Sequence, residues 1–302
     1  MPNTLAHLGV GGAATRAVIT KADLKWVYLA CIIPDIPWIL QRTAHIFFPQ
    51  VSPYDLRLYV IVQSTLLFCC IFSLAIASLS KNFLKTFLIL VFGSIVHLLL
   101  DSLQKKWANG AELLAPFNWS LLNFDLFWPE SLPTYLITLF GLFYFLTTFK
   151  DGVSAPLNLE LKNFRRWFVF ATVFIVYMII PLFLLNQPFE ADNHYVKTLE
   201  NVKERPGKYF EIDRRTYRFE NGTGMINTFA GEDISLKSVD LKSKKTLSIR
   251  AKFINEHTAQ VIEYHVHSSF RDWASYLGLF LVLIFWITNV YINRKNILQE
   301  GI

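Results

Sequence analysis

The chain has 302 residues, of which 53% are hydrophobic, 16% aromatic and only 17% charged, and its mean hydropathy is +0.35. An average soluble domain carries about 25% charged residues, so this composition excludes an ordinary soluble enzyme and points to a polytopic integral membrane protein. The formal charge of +6 reads as an excess of Lys and Arg in cytoplasmic loops, not as a nucleic-acid footprint, and no nucleic-acid partner is expected.

Two short apolar stretches come first, residues 4–19 and 26–40, each about 15 residues long. At about 1.5 Å per residue they reach only about 23 Å, so they end inside the hydrocarbon or inside protein. Gly9, Gly11 and Gly12 let the first pack closely against neighbours, as small residues do in membrane bundles. The N-terminus lacks a charged lead, a long apolar core and a small-residue cleavage site, so no removable signal peptide is expected. Five longer runs follow at roughly 58–79, 83–101, 131–149, 166–186 and 274–292, near the ~20 residues a bilayer requires. Cys31, Cys69 and Cys70 lie inside apolar runs, an odd count with no spaced pairs, and read as small buried hydrophobes.

The expected fold is therefore an α-helical polytopic membrane protein of about seven membrane segments with a small β-rich extracytoplasmic domain. Arg16, Lys21 and Lys25, Lys81 and Lys85, Lys150, Lys162, Arg165 and Arg166, and Arg294 and Lys295 all fall on one side if the N-terminus is outside and the C-terminus inside, which the positive-inside rule favours. Residues 187–272 are polar and alternate. Leu247, Ile249, Ala251 and Phe253 share one strand face, and Ile262, Tyr264 and Val266 share another, with weaker strand signals around Asn221-Gly222. The division expected is a membrane domain over 1–186, a β-rich outer domain over 187–272, and a final membrane helix with a cytoplasmic tail over 273–302.

Four costly polar residues converge on the outer side of this topology: His7 in segment one, Asp35 between Pro34 and Pro37 in segment two, and His97 and Asp101 in segment four. Polar and ionisable groups inside a membrane mark function by default, and two nearby carboxylates repel each other unless a cation sits between them. His97 and Asp101 are four apart and so share a helix face. They can hold one divalent metal together, or simply satisfy each other by a hydrogen bond.

The stretches TLAHLG, IIPDI and GSIVHLLLD, followed by ELLAPFNW, resemble the bacterial family of membrane-bound metal-dependent hydrolases, which is similar in motif order to zinc-dependent phospholipase C. The resemblance covers roughly residues 1–130. It implies a bacterial inner-membrane protein whose metal, zinc first among the divalent ions, is held by His7, Asp35, His97 and Asp101. The activity it implies is hydrolytic. Many members carry an HR-x-x-TH-S stretch between the second and third motifs. This chain has DLRLYVIVQSTLLF there, with Arg57, Gln63, Ser64 and Thr65 but no histidine. Such a site has fewer ligands, and His45 is a possible additional one.

Lesser candidates are Glu263, His265 and His267 on one strand face, Asp125 and Glu130 flanking LFWP, and the glycosylation-like triplets at Asn118 and Asn221. Phosphate-binding glycine loops, nucleophile elbows and H-E-x-x-H are absent from the sequence, which argues against ATPases, serine hydrolases and zincins. The function expected is a membrane-embedded hydrolase of a lipid or lipid-linked (phospho)ester at the outer leaflet. The alternatives are a non-catalytic scaffold with a vestigial or structural site, and an ion or proton transporter.

Overall fold

A computed structural model describes residues 3–299, without the side chains of His45 and of residues 295–299. Helix α1 (Thr4–Val18) starts at Asn3, whose side chain accepts the Ala6 N–H and so satisfies a donor that a first helical turn leaves open. Helix α2 (Leu24–Ala30) is capped by Asp23. Pro34 and Pro37 lack the N–H that a continuing helix uses, so a single 3-10 turn at Ile33–Asp35 separates α2 from α3 (Ile36–Phe47). The second short segment is thus broken, and Asp35 sits at the break.

Helices α4 (Pro53–Gln63) and α5 (Leu66–Ser78) meet at 70° where one straight span over 58–79 is predicted. The cause is local. Ser64 and Thr65 hydroxyls each donate to carbonyls three residues back, at 2.9 Å, and such local bonds compete with helix continuation. Then come α6 (Phe83–Ser102), α7 (Leu132–Ser154), α8 (Phe164–Ile179), α9 (Asn186–Glu190), α10 (Val196–Glu200) and, after the strands, α11 (Phe270–Gln299). Four stretches are long and apolar enough to cross a membrane, Phe83–Ser102, Leu132–Ser154, Phe164–Glu190 and Phe270–Arg294, and the bent pair counts as a fifth if taken as one span. Length and apolarity among the described residues thus show four or five spans, not all seven expected segments. Helix α1 is instead buried against α6, α7 and α11. A Cβ on Gly9 would stand 2.4 Å from the Gly141 Cα, and one on Gly141 would stand 1.8 Å from the Leu5 carbonyl oxygen, so α1 and α7 touch backbone to backbone. Leu136, Leu139, Phe143 and Leu146 form an exposed apolar stripe on α7, the kind of face that needs lipid or protein cover.

Strands β1 (Tyr209–Glu220), β2 (Thr223–Asn227), β3 (Asp233–Lys237), β4 (Lys245–Phe253) and β5 (Thr258–His267) close into a barrel in the order β1-β2-β3-β5-β4. Within the barrel β3 and β5 pair parallel and the other neighbours antiparallel. Asn221 and Gly222, at φ 50° and 79°, join Glu220 to its partner Thr223. This is the Asn-Gly turn that a two-residue hairpin favours. Phe210, Ile212, Tyr217, Ile226 and the expected face Leu247, Ile249, Ala251 and Phe253 fill the core.

The expectation for β5 is corrected. Ile262, Tyr264 and Val266 are 64%, 37% and 38% exposed, whereas His267 is buried. The segment between α6 and α7 runs over the histidine face, stacking Trp128 on His265 at 3.8 Å. Glu263 leaves that group and pairs with Arg250 at 3.5 Å. The same segment docks on β1, since the Ala108 N–H and the Asn109 amide donate to Glu211 and Asp213. The barrel thus covers the end of the helical bundle at which α6 finishes.

Candidate metal centre

The three helical segments carrying the motif residues meet at this covered end. His7, one turn into α1, is held there by the close approach of α1 to α7. Asp35 is placed by the proline break, and His97 and Asp101 by the last turns of α6. His7 Nε2 lies 3.2 Å from Asp101 Oδ1, and its ring stacks on that of His97 with centroids 3.8 Å apart. His97 Nε2 lies 3.6 Å from Asp35 Oδ1 and 3.7 Å from Asp101 Oδ2. One donor atom from each of His7, His97 and Asp101 falls within 4.8 Å of the others. Asp35 reaches the cluster through His97. All four residues are nine-tenths or more buried. The side chain of His45 lies outside the described residues.

The protonation logic follows from one contact. His97 Nδ1 is 2.7 Å from the Cys31 carbonyl oxygen. A carbonyl only accepts, so Nδ1 carries the proton and a neutral ring presents a bare lone pair at Nε2. That lone pair faces two carboxylates, which are acceptors as well. Among the described residues, His7 Nδ1 and Nε2, Asp35 Oδ1, His97 Nε2 and Asp101 Oδ1 are buried without a hydrogen-bond partner. The His7–Asp101 contact is short enough but misaligned. Buried polar atoms are rarely left unpaired, and acceptors that face one another are reconciled by a cation. Two ligands about 2.0–2.1 Å from a tetrahedral zinc stand about 3.3 Å apart, which is the scale of the separations here. The residues fit a small divalent ion.

Lys106 adds a charge that the sequence did not flag. Its Nζ lies 3.1 Å from Asp101 Oδ2, and the side chain is almost wholly buried. Beyond it opens a cavity of about 290 Å³ between bundle and barrel, floored by Asp35 and Asp101 and walled by Arg57, Glu112, His194 and Arg215 among others. Arg57 donates to His194 Nδ1 at 3.1 Å. The proton of that ring therefore sits on Nε2, which faces Glu112 at 3.4 Å. Burial pushes the Glu112 carboxyl up to about 8, against the pull of Arg57 and Lys106, and burial together with the same two cations holds His194 well below the usual imidazole range. Both are thus neutral near pH 7.

A second cluster, Glu130, His265 and His267, also brings three donors together. It differs in being satisfied. Glu130 accepts from His267 Nδ1 at 3.1 Å, from His265 Nε2 at 3.3 Å and from Arg214 at 3.3 Å. Burial would raise its carboxyl, but those partners draw it down to about 2. Ser248 Oγ stands 2.7 Å from His267 Nε2, giving a Ser–His–Glu string, yet the serine is fully buried and its one proton goes to Asp213 at 2.7 Å. With no access for a substrate, this string fastens the Trp128–Glu130 segment to the barrel. Asp125, its expected companion, lies by Arg250 at 3.9 Å.

No protein-family model, curated protein or solved structure matches the chain. The likeness to the metal-dependent hydrolases rests on the motif residues.

Proposed function

We propose that this is a membrane-embedded, metal-dependent hydrolase acting on a lipid or lipid-linked phosphoester at the membrane face that carries the barrel. The observation supporting it is the convergence of unpartnered His7, Asp35, His97 and Asp101 atoms beside a cavity that Asp35 and Asp101 line. In this reading His7, His97 and Asp101 hold the ion and Asp35 completes the set. Zinc suits two imidazoles and a carboxylate. A divalent ion at such a site supplies a lowered pKa for water and polarises a phosphoryl oxygen. The chain's own part is to fix the His97 ring through the Cys31 carbonyl, to hold Asp35 and Asp101 buried, and to line the cavity with cations. Seven membrane segments with the N-terminus and the barrel outside in a bacterial inner membrane belong to the same reading. Labelling of a cysteine introduced at Asn221 in intact cells tests it, and labelling only after permeabilisation would reverse the orientation. Hydrolysis of short-chain phospholipids by the purified chain, abolished by chelation and by His97→Ala, tests the activity.

One observation favours a second reading. The Lys106 ammonium already neutralises part of Asp101, as in a structural ion cluster with no metal. In that case the chain is a scaffold that presents the barrel.

A further inference from the structure

The cavity that Asp35 and Asp101 line is also lined by Arg42, Arg57, Arg214, Arg215 and Arg271, and carboxylate partners do not account for all of these guanidinium groups. Arg214 is matched by Glu130 and Asp272, and Lys106 by Asp101. Arg42, Arg57 and Arg215 make no ion pair with a carboxylate among the described residues; Arg42 donates only to the Tyr276 hydroxyl at 3.1 Å. Arg57 is held flat, with its guanidinium carbon 4.4 Å from the Trp38 ring centre and 5.3 Å from that of Phe229, and its buried Nε has no hydrogen-bond partner.

The acids nearby offset only part of this charge. Asp213, held by Ser248 and Asn109, is one carboxylate set against both Arg57 and Arg215, and burial keeps Glu112 protonated near neutral pH. The strand geometry that aims Arg215 inward is a bulge: Ile212 faces Ile249 and Arg215 faces Leu247, so Asp213 and Arg214 together oppose Ser248, with Arg214 at φ 49°. Bulges re-aim side chains beside functional sites.

We propose that Arg42, Arg57 and Arg215 form an anion subsite that receives the phosphate of a phosphate ester and holds it over the Asp35–Asp101 edge of the metal centre. This rests on the hydrolase reading and names the residues that hold its substrate's phosphate. Planar guanidinium forks match phosphate oxygens in paired hydrogen bonds. A cavity of about 290 Å³ is at the small end of ligand pockets, the size for a headgroup and not for acyl chains. Ile39, Leu40, Ile46 and Phe47 on α3, the helix that carries Arg42, leave an exposed apolar surface along which chains can lie.

Calorimetry on the detergent-purified full chain, as isolated and after chelation, tests the subsite with three probes: inorganic phosphate, short-chain phosphatidic acid and short-chain phosphatidylcholine. Phosphate or phosphatidic acid is expected to bind, and Arg57→Gln and Arg215→Gln are each expected to weaken binding roughly tenfold, in line with the loss of a hydrogen bond to a charged group. Arg218→Gln, on the barrel exterior, is expected to change nothing. Phosphatidic acid binding well above phosphate assigns a lipid source, and equal binding assigns a water-soluble ester. Arg57→Lys keeps the charge without the fork and controls for folding, with an intermediate loss expected. Failure of phosphate and phosphatidic acid to bind, or unchanged binding in both glutamine variants, overturns the subsite. Metal content read on the same samples separates the two ideas. Metal retained without anion binding overturns the subsite alone, and anion binding without metal overturns the hydrolase reading and leaves an anion-binding site.

Discussion

His97 donates its Nδ1 proton to the Cys31 carbonyl across 2.7 Å, and that bond between α6 and the end of α2 decides what the other ring nitrogen can do. In the neutral ring Nε2 then offers its lone pair 3.6 Å and 3.7 Å from two carboxylates. Such outer bonds fix the tautomer and direction of metal-binding imidazoles.

Lys106 competes for the same carboxylate. Replacing it with Met removes the cation 3.1 Å from Asp101 and leaves a buried charge unpaired, so the metal-free protein is expected to melt earlier. Added divalent metal is expected to restore the melting temperature, with an affinity at least that of the wild type. A loss of stability that no metal recovers would favour the ion-cluster reading. Thermal melts with and without chelator read this directly.

Gly141→Ala tests how α1 is held. The added methyl would stand 1.8 Å from the Leu5 carbonyl, so α1 must move away from α7 and carry His7 with it. Loss of metal or of the folded chain is expected, read by metal content and by size-exclusion profile. Unchanged metal binding would show that the helix contact does not place His7.

Glu112→Gln probes the far wall. A carboxyl pushed up to about 8 in the fold, against about 4.3 in the unfolded chain, disfavours the folded state increasingly as pH rises between those values. Wild type is therefore expected to lose stability relative to Glu112→Gln from about pH 4.5 to pH 8, by a few kcal/mol at most. The gap should be constant above that range and closed below it. Its absence in melts across pH would show that His194, Arg57 and Lys106 solvate the charged carboxylate.

Arg205 fastens α10 to the barrel. It is wholly buried, pairs with Glu232 at 2.6 Å, donates to the Leu199 carbonyl and lies over Phe253. Removing one partner of a buried pair costs about 3–5 kcal/mol, so Arg205→Ala is expected to lower the barrel's unfolding midpoint while the bundle remains folded. Hydrogen exchange resolved by segment measures both.

The motif residues were legible in the sequence because charge and imidazole stand out in apolar runs, and the i, i+4 spacing of His97 and Asp101 fixes a shared face. The long spans and the β4 core face were legible for a similar reason, since one periodicity held through each. The bend at Ser64-Thr65 was not, because it arises from hydroxyl bonds inside an unbroken apolar stretch. Nor was the cavity wall. Lys106 and Glu112 share one loop, whereas His194 and Arg215 come from two later parts of the chain, and the bulge in β1 and the loop docked on it bring them together. On β5 the alternating pattern was visible, but which face is covered depends on Trp128 and Glu130 over a hundred residues earlier.

The central claim is that the unpartnered donors at the end of the bundle hold a metal. Metal analysis of the purified full chain, alongside His97→Ala and Asp101→Asn, tests it most directly. About one divalent ion per chain is expected in the wild type and little in either variant, with all three giving the same size-exclusion profile. A folded wild-type chain that carries no metal after incubation with zinc, manganese or magnesium would contradict it.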